Sequence, residues 1–122
     1  MKFIDKITIS LPNKSAEAQY FVAEDAEFLA DHFPNTPMLP GLVMLEIAVQ
    51  TAAACLNENL EKKRAVNFDL DSLERLYVTR RVVPNETLIV QVQISELAPD
   101  GASAYCEASA KVADETAMRA KF

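Results

Sequence analysis

Apolar and polar residues alternate along most of this chain, and one stretch breaks the alternation. "FIDKITISL" (residues 3–11) and "AEAQYFVAE" (16–24) each alternate, and Pro12-Asn13 separates them. They predict a first β-hairpin. "AEFLAD" (26–31) makes a short helical turn at best. A proline-rich segment then leads into residues 41–59, rich in Leu, Met, Ala and Glu and free of interior glycine or proline. That composition predicts one long helix. Leu42, Val43, Met44, Leu45, Ile47, Ala48, Val49, Ala52, Ala53 and Ala54 leave it almost no polar face, so burial on all sides is expected.

Beyond residue 64 the period returns to two. Residues 65–73 and 74–83 read as strand material, and Pro84-Asn85 reads as a turn. "ETLIVQVQISEL" (86–97) is the clearest strand, with Leu88, Val90, Val92 and Ile94 on one face. "APDGAS" predicts a hairpin turn with Gly101 in the left-handed position. "AYCEASAKVA" and "TAMRAKF" close the chain as a strand pair. One apolar helix with an antiparallel sheet of about five to seven strands predicts an α+β domain in which the sheet wraps the helix.

Length and charge narrow this picture. The chain has 122 residues, which fits a single domain, residues 1–122. Such a chain has little area to bury, so oligomerisation would add burial. Neither a membrane-spanning run nor the long apolar core of a signal peptide is seen, which predicts a soluble cytoplasmic protein. The net charge of −6 argues against nucleic acid as partner. Cys55 and Cys106 read as reduced structural thiols.

The interrupting stretch, "DHFPNTPMLPGLVMLE" (31–46), carries the candidate chemistry. It holds the only histidine, His32, and prolines at 34, 37 and 40. Each proline fixes φ and extends its predecessor, so the segment holds His32 at a fixed offset from the helix start, as a general base requires. Pro40-Gly41 suits a helix start, where free N–H groups favour negative charge and glycine admits a ligand close to the backbone. A thioester carbonyl becoming enolate-like would be stabilised there. Glu46 and Gln50 are four apart and share one helix face. On a buried apolar wall the neutral carboxylic acid is favoured, and it can donate a proton. At a rise of 1.5 Å per residue, Glu46 lies about 7.5 Å along the helix from Gly41, within the span of one acyl group. A base, an acid and an oxyanion site suit removal of a proton beside a carbonyl with loss of a β-hydroxyl as water. No metal ligand set and no cofactor motif is read.

"HFPNTPMLPGLVMLE" followed by Gln50 resembles the signature H-F-P-x-x-P-x-x-P-G-x-x-x-x-E-x-x-x-Q of the FabZ-type β-hydroxyacyl-acyl-carrier-protein dehydratases. The resemblance implies a hot-dog fold, His32 as base, Glu46 as acid, the Gly41 N–H as carbonyl donor and Gln50 as partner of Glu46. Phe33 and Pro40 join Gly41 and Gln50 as substrate-binding positions. Glu46 sides with FabZ, since the neighbouring decanoyl-type dehydratases carry Asp there. "VVPNETLIVQVQI" (82–94) resembles the family's V-P-G-D strand start. The family implies a homodimer with the site shared between subunits, with a trimer of dimers as the larger assembly left open. The implied substrate is a 3-hydroxyacyl thioester of acyl carrier protein or coenzyme A, in fatty-acid or polyketide-like synthesis.

The sequence departs from the family at Asp31 and Asn85-Glu86, where the family has Gly and Gly-Asp, and the usual N-terminal proline-rich segment does not precede it. A short form serving a specialised acyl pathway is expected. Arg80 and Arg81, next to the turn at Pro84, are the expected docking residues for an acidic carrier protein. Two alternatives are a hot-dog thioesterase, which would release free thiol, and a non-catalytic acyl-binding subunit, which would do neither reaction.

Overall fold

The computed structural model describes residues 5–11, 14–23, 39–57, 70, 72–99 and 103–122. Six antiparallel strands form one sheet: β1 (Lys6–Leu11), β2 (Ser15–Phe21), β3 (Arg75–Val78), β4 (Thr87–Leu97), β5 (Ala104–Val112) and β6 (Glu115–Lys121). Their spatial order is β1-β2-β4-β5-β6-β3, which leaves β1 and β3 as the two edges. A single described helix, α1 (Gly41–Asn57), packs on one face. Among the described residues no helix is long and apolar enough to cross a membrane.

Alternation built this sheet as expected. Val90 pairs with Ala18 on one side and Ala110 on the other, and all three are fully buried under α1. Gln91, one residue on, faces away with Glu17 and Ser109. The inner face is paved with small side chains: Ala16, Ala18, Ala108, Ala110, Ala117 and Ala120 are all buried. That leaves room for Met44, Leu45 and Ile47 of the helix against Leu88, Val90, Val92 and Met118. Thr51, the buried polar residue of the core, donates its hydroxyl to the Ile47 carbonyl at 2.7 Å, so its burial carries no unpaired group. Register breaks at Ile9/Leu11, Ile94/Glu96 and Ala110/Lys111 mark bulges, which bend strands and let the sheet curl round the helix. Cys55 and Cys106 are buried thiols, and burial pushes the Cys106 thiol up to about 11, with Cys55 adding to the effect.

Three expectations need correction. First, α1 is not buried all round: Leu42 is 70% exposed, and Glu46 is exposed as well. Second, residues 74–83 do not form one long strand. Pairing with β6 starts at the Glu74 N–H on the Lys121 carbonyl, and both Thr79 and Arg80 then point their amides at the single Ala117 carbonyl, which ends the ladder. Third, of the expected strand over residues 65–73, Leu70, Ser72 and Leu73 lie outside any strand, while residues 65–69 and 71 fall outside the described residues. The expected turns at Pro12-Asn13 and Gly101, the helical turn at 26–31 and the helix end at 58–59 also fall outside them. The Ala98 N–H nevertheless reaches the Ser103 carbonyl at 2.9 Å across the β4–β5 connection.

The turn over residues 83–86 follows sequence chemistry closely. Proline stands first of its two central residues and Asn85 second, at φ 72°, and the Glu86 N–H returns to the Val83 carbonyl at 3.3 Å, a type II arrangement. The Asn85 N–H to Val22 carbonyl and Val22 N–H to Glu86 carbonyl bonds fasten this turn to the end of β2. Arg80 locks it from the other side. Its Nη1 and Nη2 donate to Glu86 Oε1 and Oε2 at 2.9 and 2.7 Å, its Nε donates to Glu115 Oε2 at 3.0 Å, and Nη1 also reaches the Arg81 carbonyl at 2.8 Å. Glu86 Oε1 in turn accepts the Val83 N–H at 2.9 Å. The fork from Arg80 holds the Glu86 carboxyl below the usual range, helped by the Val83 amide, and hydrogen bonding to Glu86 and Glu115 raises Arg80 above its ordinary value.

Two tests follow from these local geometries. Ala113 and Asp114 form the two-residue β5–β6 hairpin loop at φ 46° and 72°, a left-handed pair in which alanine is disfavoured by about 1–2 kcal/mol. Ala113→Asn should raise stability by about 1 kcal/mol in urea unfolding; an unchanged or lower midpoint would refute the turn assignment. Because Glu86 is held ionised in the fold, its contribution is present at neutral pH and is lost as pH falls below the ordinary glutamate value of about 4.3. Glu86→Gln should therefore flatten the acid limb of a melting-temperature profile, and an acid limb identical to that of the parent protein would count against the pair.

Candidate active site

The helix start is built from both sides. The Pro40 carbonyl accepts the Val43 and Met44 amides at 3.0 and 3.3 Å and so opens α1, one residue before its first helical position. The Leu39 N–H donates to the Val82 carbonyl at 2.7 Å, tying the entry of the helix to the segment before the Pro84 turn. Helix geometry leaves the first amides, those of Gly41 and Leu42, with no intrahelical acceptor, and the peptide dipoles make this end attractive to negative charge. Gly41 is required here by contact: a Cβ on it would lie 2.8 Å from Val78 Cγ2 of β3. Valine is stiff at χ1, so a side chain at 41 would have to displace either that methyl or the helix start.

Leu42, Glu46 and Gln50 follow at four-residue spacing and form one stripe of α1. Gln50 Nε2 donates to Glu46 Oε1 at 3.2 Å, which fixes the carboxyl on that face. Both Leu42 and Glu46 are exposed in the single chain, and Gln50 is half-buried. The expected wall around Glu46 is thus not supplied by the described residues of its own chain. His32 and Phe33 fall outside the described residues.

The structure does bring Pro40 and Gly41 together with the two arginines. Leu39, Pro40 and Gly41 line one shallow cleft with Val78, Thr79, Arg80 and Arg81. The two cations differ. Four of Arg80's five N–H donors are committed to Glu86, Glu115 and the Arg81 carbonyl, whereas Arg81 is exposed at the rim. Sequence reasoning missed Val78, Glu86 and Glu115 as parts of this region. Glu86, two residues past Pro84, was the one with a local signal.

Comparison with known proteins places this arrangement. The family model for ApeI-like proteins, described as ApeI dehydratase, matches residues 8–116. The 3-hydroxyacyl-[acyl-carrier-protein] dehydratase FabZ of Wolbachia pipientis is 31% identical over 118 residues, covering 93% of this chain and 80% of the relative. Among solved structures, the dehydratase heterocomplex ApeI:P from Xenorhabdus doucetiae superposes with a TM-score of 0.70 at 19% identity, covering 99% of this chain and 96% of that one. A hypothetical thioesterase protein with coenzyme A from Streptococcus pneumoniae gives 0.66 at 6% identity, covering 98% and 84%. Both structural likenesses carry the fold, the expected hot dog of a helix wrapped by an antiparallel sheet. With the family model spanning most of its length and a FabZ enzyme aligned over nearly all of it, the chain belongs to the ApeI-like dehydratase family, a hot-dog enzyme akin to FabZ.

Proposed function

We propose that this enzyme converts 3-hydroxyacyl thioesters of acyl carrier protein into trans-2-enoyl thioesters and water, with His32 as base and Glu46 as acid. The observation that carries the reading is the order of groups on α1: a donor-rich helix start at Gly41, then Glu46, held by Gln50 at 3.2 Å, one and a half turns on. The thioester carbonyl sits on the Gly41 amide, where charge developing on its oxygen meets the helix dipole. His32 removes a proton from the α-carbon. The Cβ–O bond breaks as Glu46 delivers a proton to the departing hydroxyl, which leaves as water. Phe33 and Pro40 line the acyl site, and the cytoplasm is the compartment this reading assigns.

The stripe 42–46–50, exposed at Leu42 and Glu46, supports a second copy over the site, so we read a homodimer in which each His32 serves the partner's Glu46. The heterocomplex formed by the ApeI:P neighbour makes a pairing with a different chain the competing assembly. Arg81, exposed beside the helix start, is the reading's docking cation for an acidic carrier; Arg80 is already paired with Glu86 and Glu115.

His32→Ala and Glu46→Gln should each lower turnover by about 10²–10⁴ with the fold intact, the glutamine isolating the proton because it keeps the size and the hydrogen bond. Appearance of the enoyl thioester by absorbance measures this; free thiol released instead would mark a thioesterase, and neither product a binding subunit. Mixing His32→Ala with Glu46→Ala subunits should restore part of the activity in dimers that carry one intact site, and no recovery after verified subunit exchange would sink the shared site. Arg81→Glu should weaken catalysis on a carrier-protein thioester, more so at low salt, and spare a short pantetheine thioester. Equal loss on both would remove Arg81 from docking.

A further inference from the structure

The helix start is gripped by one continuous set of bonds that runs back to Arg80. The Leu39 amide is held by the Val82 carbonyl at 2.7 Å, immediately before Pro40 and Gly41. The next residue, Val83, is held through its amide by Glu86 Oε1 at 2.9 Å. Glu86 is clamped through both oxygens by Arg80, with side-chain exposures of only 25% and 21% for the pair. Arg80 is anchored at its own end, because Thr79 and Arg80 direct their amides to Ala117 and Thr79 Oγ1 donates to the Thr116 carbonyl at 2.8 Å. Val78, two residues before Arg80, stands close enough to Gly41 that a Cβ there would lie 2.8 Å from its Cγ2. A bidentate, half-buried pair is the kind that fixes geometry; an exposed single-contact pair contributes little.

We propose that Arg80 and Glu86 are positioning residues for the reaction: their pair fixes residues 82–83, and through the Val82 carbonyl it sets where the Leu39–Gly41 junction presents the Gly41 amide to the substrate carbonyl. The idea rests on the dehydratase reading above for the role of Gly41, but the grip itself is a property of the chain. It predicts an effect on the chemical step, because a donor aimed at developing charge acts in the transition state more than in the ground state. A displacement of about 1 Å at such a donor can cost about 10²-fold in rate.

The experiment uses the full chain and a short 3-hydroxyacyl pantetheine thioester, so that carrier docking plays no part. Glu86→Ala, checked by circular dichroism to be fully folded at the assay temperature, should lose at least about tenfold in kcat with KM unchanged. Glu86→Gln, which keeps an acceptor for the Val83 amide, should fall between it and the parent protein. Hydrogen exchange at the Leu39 amide should quicken in the same order. Full kcat in folded Glu86→Ala, a loss confined to KM, or unaltered Leu39 exchange would each overturn the proposal. If Glu86→Ala does not fold, Arg80→Lys, which replaces the fork by a point charge, carries the same measurements and the same criteria. Should the parent protein fail to dehydrate the thioester, the functional reading falls, and Leu39 exchange alone decides whether the pair holds the helix start.

Discussion

The seating of α1 on the sheet is the constraint on which the rest of this molecule depends. One helix supplies large side chains to the core on one side and the polar stripe of the candidate site on the other. Its rotation therefore sets both at once. Successive helical residues lie about 100° apart, so turning α1 by one position would swing Glu46 toward the sheet and bring Leu45 or Ile47 round to face water. Both of those side chains are buried. Burying a carboxylate and exposing a large apolar side chain would act in the same unfavourable direction, each by a few kcal/mol. The stripe at 42, 46 and 50 faces outward because the core leaves it no other direction.

The axial position of the helix is fixed by different means. Small residues govern the close approaches: alanines of β2, β5 and β6 under the helix body, and Gly41 at its start against Val78. Larger groups then stop the helix from sliding, through the Val82 carbonyl on Leu39 and the Arg80–Glu86 pair behind it. The site's donor end is thus defined by the sheet edge and the β3–β4 connection, two regions that carry no residue of the recognised motif.

Much of this was legible in the sequence, and the parts that were not share a cause. Alternation located β1, β2, β4, β5 and β6, and in β2, β4 and β5 it reflects one wet face and one dry face. The proline-bounded run located the start of α1, and the spacing of Glu46 and Gln50 gave their hydrogen bond. Hydrophobicity says that a helix wants cover, however, and not which chain provides it, so Glu46 was expected to be buried and is exposed. The short β3 escaped for a similar reason. Residues 79–83 read as a continuation of the strand material that starts at residue 74, but two adjacent amides converge on one Ala117 carbonyl and the chain turns away. Arg80 looked like a surface cation because its partners, Glu86 and Glu115, become neighbours only through the fold.

The fold alone does not decide the chemistry. A thioesterase neighbour at 6% identity shares it nearly as well as the dehydratase neighbour does. What the scaffold offers to either is a helix start at a sheet edge, with the next turns presenting side chains beside it. The outcome is set by the groups placed there, and here they are a carboxyl braced by an amide four residues on. On the proposed reading, covering the stripe by a second copy does two things together: it dries the Glu46 face, and it brings a base from outside the chain. Assembly and catalysis are then one equilibrium, and the number of competent sites depends on protomer concentration in the way that folding of an obligate dimer does.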